Sequence, residues 1–339
     1  MVALENHVGT ILEFVKKAQR EGILFEEIFD DPTVPTGKNE FLFFIKPELT
    51  LESESIKLEQ ILQLIQEKIR AFGFRVHNIK ILSAKYLENY DIIAQHYGVI
   101  NRIAANAIQN MSDSAKEKFK NIYGKSVDEC RVAGGLEILD SFPAFNAYSL
   151  DYLWQNLENN KLAGGTYCEV IKIDNEVIYL INGFHPRQLK HFTEAGRSIV
   201  VFTLSGDLPW SEARGNFIGA TNPTSANKGS LRRELLDRRD QFGLPEVSQG
   251  VNGVHLSAGP VEALIELRRY NSNFADSSKV KGFTSYSMGR KLEENFPDDV
   301  VEQILSNVNV EVDGKAISIF DLTEEKDSDE AIAILKQYF

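Results

Sequence analysis

The segment Asn252-Gly253-Val254-His255-Leu256-Ser257 is followed by Pro260, Glu262 and Glu266 on an amphipathic stretch, placing an imidazole at the mouth of a helix. Neutral imidazole is a competent nucleophile near physiological pH, and helix N-terminal N–H groups favour phosphate beside it. The chemistry this permits is phosphoryl transfer through a histidine adduct. His255 also has an ordinary reading, because most histidines at strand ends only pack. Further groups suited to phosphate lie upstream. Lys46 closes the apolar run Phe41-Leu42-Phe43-Phe44-Ile45, Thr221 lies in Gly219-Ala220-Thr221-Asn222-Pro223, and Arg232 follows Lys228-Gly229-Ser230-Leu231. Phosphoryl transfer needs positioning and cationic stabilisation, and a guanidinium grips phosphate oxygens in a fork that lysine lacks.

Hydrophobic periodicity assigns the elements that must position these groups. A helix is predicted over His7–Arg20, then a loop with Pro32, Pro35 and Gly37. Phe41–Ile45 suits a strand buried on both faces. Ile56, Ile61, Leu62, Ile65 and Ile69 recur at helical spacing within Ser55–Phe72, and Gly73 ends that helix. Phe74–Lys85 reads as a strand and Tyr86–Tyr97 as a helix. Two helical stretches follow, near Ile100–Asn110 and Ser114–Tyr123. Tyr167–Ile173 and Glu176–Ile181, joined by Asp174-Asn175, form a hairpin pattern. Leu189–Glu194 is helical and Ile199–Leu204 a buried strand. A polar linker (271–281) precedes a tail with a helix over Val300–Leu305, a hairpin around Asp313-Gly314 and a helix over Asp329–Tyr338. Alternating strands and helices with short links indicate an α/β fold.

Three segments, in this order, resemble the nucleoside diphosphate kinase family: Phe43-Phe44-Ile45-Lys46-Pro47-Glu48; Gly219 to Pro223 running on to Arg232; and Asn252 to Ser257. The family marks are Ile-Lys-Pro-Asp after the first strand, Gly-x-Thr-Asn-Pro leading to a basic residue, and Asn-x-x-His-x-Ser. The resemblance covers residues 40–97 and 184–270. It implies a ferredoxin-like βαββαβ antiparallel sandwich at 39–97 and 184–270, with an N-terminal helical extension (1–38), an inserted subdomain (98–183) and a linker with a C-terminal α/β extension (271–339). It implies γ-phosphate exchange between nucleoside tri- and diphosphates, with His255 as nucleophile and Glu266 with Ser257 orienting the ring. Lys46, Thr221 and Arg232 would meet phosphates, Asn252 the ribose and Tyr97 the phosphate region. Phe184 is the nearest candidate to stack on the base. The second phosphate arginine should fall at Gly215, but this chain carries Arg214 instead; a one-residue slip turns a helical side chain by about 100 degrees. Structural alternatives stand beside these roles: Glu266 as a solvated helix-surface carboxylate, Tyr97 as a core aromatic, Lys46 as a strand-ending lysine. Mg²⁺ would arrive with the nucleotide, with no protein-only metal cage. Assembly into at least a dimer is expected.

Composition sets bounds on these readings. The 339 residues, 43% hydrophobic and 25% charged, suit a folded protein with a sizeable core. A net charge of −12 argues against nucleic acid as the main partner. No apolar run is long enough to span a bilayer, and the acidic amphipathic start resembles neither a secretory nor a transit signal, so cytoplasmic residence is expected. Cys130 and Cys168 are expected as free thiols. Phosphate-binding Gly-x-x-x-x-Gly-Lys and hydrolase Gly-x-Ser-x-Gly motifs are absent. Two further readings are a nucleotide-binding regulatory protein with little turnover and an interaction module working through the 98–183 segment and the tail.

Overall fold

A computed structural model describes residues 4–339 apart from residues 21, 32, 34 and 36, so the predicted loop residue Pro32 lies outside the described residues. The strands, in chain order, begin with β1 (Phe25–Asp30), β2 (Asn39–Ile45), β3 (Arg75–Ser83), β4 (Arg131–Gly134), β5 (Asn160–Ala163) and β6 (Thr166–Ile173). They continue with β7 (Glu176–Ile181), β8 (Ser198–Gly206), β9 (Val254–Leu256), β10 (Asn309–Val312) and β11 (Lys315–Ser318). The fold is mixed α/β. Chain contacts divide it into two compact units, Met1–Tyr86 with Ala195–Phe339, and Leu87–Glu194.

In the first unit five strands run in the order β1-β3-β8-β2-β9, every neighbouring pair antiparallel. β2 is buried along its whole length, as a run of Phe, Leu and Ile without alternation requires. Phe41, Phe43 and Ile45 point into one core with helix α1 (Val8–Arg20), helix α2 (Leu58–Ala71) and helix α3 (Leu231–Asp237). Each such aromatic or aliphatic side chain contributes about 1.5–3 kcal/mol when fully buried. The alternate residue Phe44 faces the other way, towards Tyr270 of helix α4 (Pro260–Asn271), with ring centroids 5.4 Å apart. That second face is partly polar: Asn271 donates to Thr203 Oγ1 (2.9 Å), and buried Lys80 pairs with Glu27 (2.8 Å).

The C-terminal segment belongs to this unit. Asp327 Oδ1 accepts from Trp210 N (2.8 Å) and from Asn39 Nδ2 (2.8 Å), and Glu40 accepts from Ser287 N (2.8 Å). These bonds satisfy polar groups at the start of β2 that would otherwise be buried without partners.

The second unit has a four-stranded sheet, β4-β7-β6-β5, with β4 parallel to β7 and the other pairs antiparallel. One face carries Phe119 and Tyr179, the other Leu150, Trp154 and Leu180. Glu169 is fully buried on β6, with neither carboxylate oxygen hydrogen-bonded, and burial pushes its carboxyl up to about 7. Cys130 and Cys168 are free thiols.

Several elements differ from the sequence reading. β1 falls in a stretch read as loop; it is an edge strand whose side chains are half-buried or exposed, and so lacks apolar alternation. The predicted helix Tyr86–Tyr97 is two shorter helices, Ala84–Asn89 and Ile92–His96, separated where Asp91 takes a left-handed φ of 52°. β4 escapes detection because a four-residue strand ending in Gly134 carries too little pattern.

Candidate active site

Val254 and Leu256 of β9 are buried in the main core, so strand alternation turns His255 to the opposite face of the sheet. β9 pairs with β2 in the register Phe43↔Leu256, Phe44↔His255, Ile45↔Val254. The imidazole stacks on Phe44, with centroids 4.5 Å apart and planes inclined by 19°. From α4, Glu266 brings its two carboxylate oxygens to 3.0 and 3.2 Å from His255 Nε2. Glu266 is only 2% exposed. A carboxylate can only accept, so Nε2 carries the proton and the ring lone pair resides on Nδ1. With Glu266 ionised, that tautomer leaves the basic ring electron pair on Nδ1.

Gly253 immediately precedes β9 with a φ of +80°, and a Cβ built there would lie 2.6 Å from Leu235 Cδ1. The turn needs glycine on both counts. It also ties the end of β2 to the start of β9: Lys46 N donates to Gly253 O (2.8 Å), and Gly253 N donates to Glu48 Oε1 (2.8 Å). Lys46 Nζ donates to Asn252 Oδ1 (2.7 Å), and the Asn252 amide donates to Thr221 O (3.0 Å) and Gln249 O (3.1 Å). Lys46, Asn252 and the exposed Thr221 loop therefore come together. Desolvation pulls the Lys46 ammonium down to about 8, opposed by Glu48 and aided by the nearby charge of Arg232.

The arginines are placed differently. Gly253 bonds to Lys46, just past β2, and Ser257 to Leu42 of β2, and the alternation of an antiparallel ladder directs the carbonyls of Val254 and Leu256 to the open edge of β9. Arg232, 5% exposed, donates to Val254 O (3.1 Å) and to Gly219 O (2.9 Å). Arg214 Nη1 donates to Leu256 O (2.9 Å), and its Nε lies 3.8 Å from Glu325 Oε1. Both cap the unpaired edge of β9. Arg214 lies in a π-turn, Ala213–Ile218, closed by Gly219 N to Arg214 O (3.1 Å). Such a turn holds one more residue than an α-turn, so it resets the side-chain direction there.

Ser257, expected to help orient the imidazole, bonds to the backbone of β2. Its Oγ accepts from Leu42 N (3.1 Å) and donates to Leu42 O (3.3 Å), just beyond the end of β9. In the second unit, Tyr97 follows Ile92–His96, with its ring 6.3 Å from Phe192 and 6.4 Å from His185. Phe184 packs against Trp154 (5.6 Å) and Tyr167 (6.0 Å) as part of that unit's core.

Sequence reasoning gives no role to Glu48 or Glu262. Glu48 stands two residues after Lys46. Glu262 stands one helical turn before Glu266, half-buried, and burial pushes its carboxyl up to about 8. The i, i+4 spacing of two glutamates behind the histidine is the signal that could have singled out Glu262.

No protein-family model matches the chain, and no curated protein matches it. A solved structure described as an NDP kinase from Pyrobaculum aerophilum is similar at 17% identity, with 72% of this chain and 99% of that chain covered and a TM-score of 0.32. Among the described residues, no helix is long and apolar enough to cross a membrane.

Proposed function

We propose that the protein transfers the γ-phosphate of a nucleoside triphosphate to a nucleoside diphosphate through a phosphohistidine at His255. The observation that carries this reading is the pairing of His255 Nε2 with the buried Glu266 carboxylate, which sets the lone pair on Nδ1. In the first half-reaction Nδ1 attacks the γ-phosphorus, an N–P bond forms and the bond to the β–γ bridging oxygen breaks, releasing the diphosphate. In the second, a terminal oxygen of another nucleoside diphosphate attacks phosphorus and the N–P electron pair returns to Nδ1. Glu266 stabilises positive charge on the ring while the N–P bond is present. Lys46 and the Thr221 loop serve the phosphates and Asn252 the sugar, as their shared hydrogen bonds suggest. Tyr97 and Phe184 are proposed for the phosphate and base regions. Mg²⁺ enters as part of the nucleotide substrate.

The strand order β3-β8-β2-β9, with α2 between β2 and β3 and α3 between β8 and β9, supports a ferredoxin-like βαββαβ core. The span between β3 and β8 supports reading 98–183 as an inserted subdomain. A cytoplasmic enzyme of at least two subunits fits this reading, and sedimentation would check the assembly.

A second reading, a nucleotide-binding regulator without turnover, is favoured by one specific observation: Arg232 and Arg214 both hold backbone carbonyls. Brief incubation with γ-labelled ATP separates the two. Acid-labile, base-stable label that disappears in His255→Ala supports the enzyme; nucleotide binding with no label in the wild type sinks it and leaves the regulator.

A further inference from the structure

We propose that Glu48 is a positioning residue for nucleotide binding: its carboxylate, bonded to the Gly253 amide, sets the Asn252–Gly253 turn and so aims the Lys46–Asn252 pair. This rests on reading Lys46 and Asn252 as nucleotide ligands. Glu48 is 8% exposed and lies in a short 3₁₀ turn, Pro47–Leu49, straight after Lys46. Pro47 fixes the entry to that turn, and Thr50 N closes it on Pro47 O (3.0 Å). Thr50 Oγ1 fastens it to Ser198 O (2.6 Å). From this base Glu48 Oε1 accepts the Gly253 N–H at 2.8 Å. Leu49 packs alongside, where a Gly253 Cβ would stand 3.0 Å from its Cδ1. The turn into β9 is thus gripped from the end of β2 by a buried carboxylate.

Three consecutive residues of this turn each meet one charged side chain. Lys46 Nζ donates to Asn252 Oδ1 (2.7 Å), Glu48 accepts from Gly253 N, and Arg232 donates to Val254 O (3.1 Å). The oxygens that receive Lys46 and Arg232 are neutral, so these bonds orient the cations without cancelling their charge. The carboxylate between them is their counter-charge. Burial disfavours the Lys46 ammonium, Glu48 partly restores it, and Arg232 opposes it. Glu48 therefore holds the turn with one oxygen and steadies, through its charge, the cation that the turn orients. Without its carboxylate the Gly253 amide is left with no acceptor there, at a real cost in a buried position. The Asn252 side chain, one residue earlier, would lose the register in which it meets Lys46 Nζ, Thr221 O and Gln249 O.

The test is calorimetric binding of ADP to the full chain, as a double-mutant cycle between Glu48 and Asn252. Glu48→Ala should raise the Kd by about 10-fold, the size of one lost hydrogen bond to a buried charge. In the Asn252→Ala background the same change should move the Kd by less than about 2-fold, because the group that Glu48 positions is already gone. A merely structural loss would weaken binding equally in both backgrounds. Glu48→Gln, which still offers an oxygen to Gly253 N, should restore most of the affinity. Glu48→Asp draws the carboxylate back by a methylene and should show the same Asn252-dependent weakening; it covers the case in which Glu48→Ala does not fold. An unchanged Kd in these shortened variants, or equal effects with and without the Asn252 side chain, would overturn the proposal. ¹⁵N-asparagine NMR of the unliganded chain reads the turn directly: the Asn252 amide signals should shift in Glu48→Ala and Glu48→Asp and hold in Glu48→Gln. If the cycle behaves as expected but the wild type takes up no γ-label, the phosphotransfer reading fails and the positioning role stands. If ADP does not bind at all, the nucleotide reading fails and the NMR decides: shifted Asn252 signals keep Glu48 as the brace of the turn, and unshifted signals sink it.

Discussion

On the sheet face beneath α4, a buried carboxylate fixes one nitrogen of His255 and leaves the electron pair on the other, whereas along the open edge of β9 two arginines hold peptide carbonyls. The same three-residue strand serves both regions. Residue parity decides which: odd positions pair with β2 and turn His255 to α4, while even positions send carbonyls outward. The contrast teaches that residue type alone does not assign a charged group to substrate. An edge strand has acceptors of its own to satisfy, and guanidinium is the side chain best suited to satisfy them.

The largest expected effect lies on the histidine side: His255→Ala should reduce labelling by γ-labelled ATP to background, as seen by acid-labile phosphate counting. Glu266→Gln keeps the shape but removes the charge that selects the tautomer, and the labelling rate should fall by about 100-fold in a rapid-quench assay. Residual labelling at the wild-type rate would make the two regions equivalent. On the edge side, Arg232→Ala should destabilise the fold by about 2 kcal/mol in urea denaturation, because two buried carbonyls lose their donors. An unchanged midpoint with weakened nucleotide binding would instead place Arg232 with the phosphates. The smallest effect concerns Lys46. Its ammonium titrates at about 8, so cationic help for nucleotide is present below that pH and lost as the pH rises through it. Affinity for a nucleoside diphosphate should drop by up to about 10-fold from neutral pH to well above 8 in calorimetry, with Lys46→Met flat over that range. The stability sign is opposite: the folded-state value lies below the ordinary lysine value of 10.5, so the contribution of Lys46 to stability rises with pH between about 8 and 10.5.

How much of this the sequence conveys varies by element. β2 is plain in Phe41–Ile45, and α2 in its isoleucine spacing, because both bury large apolar side chains at a fixed period. The β6–β7 hairpin announces itself through Asp174-Asn175, both of which take left-handed φ values. β1 is hidden because an edge strand buries little. At the site, the eleven residues from His255 to Glu266 are one strand end, one turn and two helical turns, a separation that local geometry converts into contact. Arg214 cannot be placed that way, since an extra residue in a π-turn leaves no periodic trace. The backbone bonds of the Ser257 hydroxyl to Leu42 leave no periodic trace either.

β3 and β8 pair from Arg75↔Ser205 to Ser83↔Ser198, and Ala84 N meets Arg197 O at 2.8 Å just beyond. All of Leu87–Glu194 is threaded between those partners. A ladder that closes so long a loop carries its entropic cost before its contacts can offset it. The β6–β7 hairpin and the helices of the intervening stretch are local, and they can collapse first and shorten the effective loop. Closing the central sheet therefore carries a large loop-entropy cost, and the groups around His255, which span β2 to α4, depend on that closure.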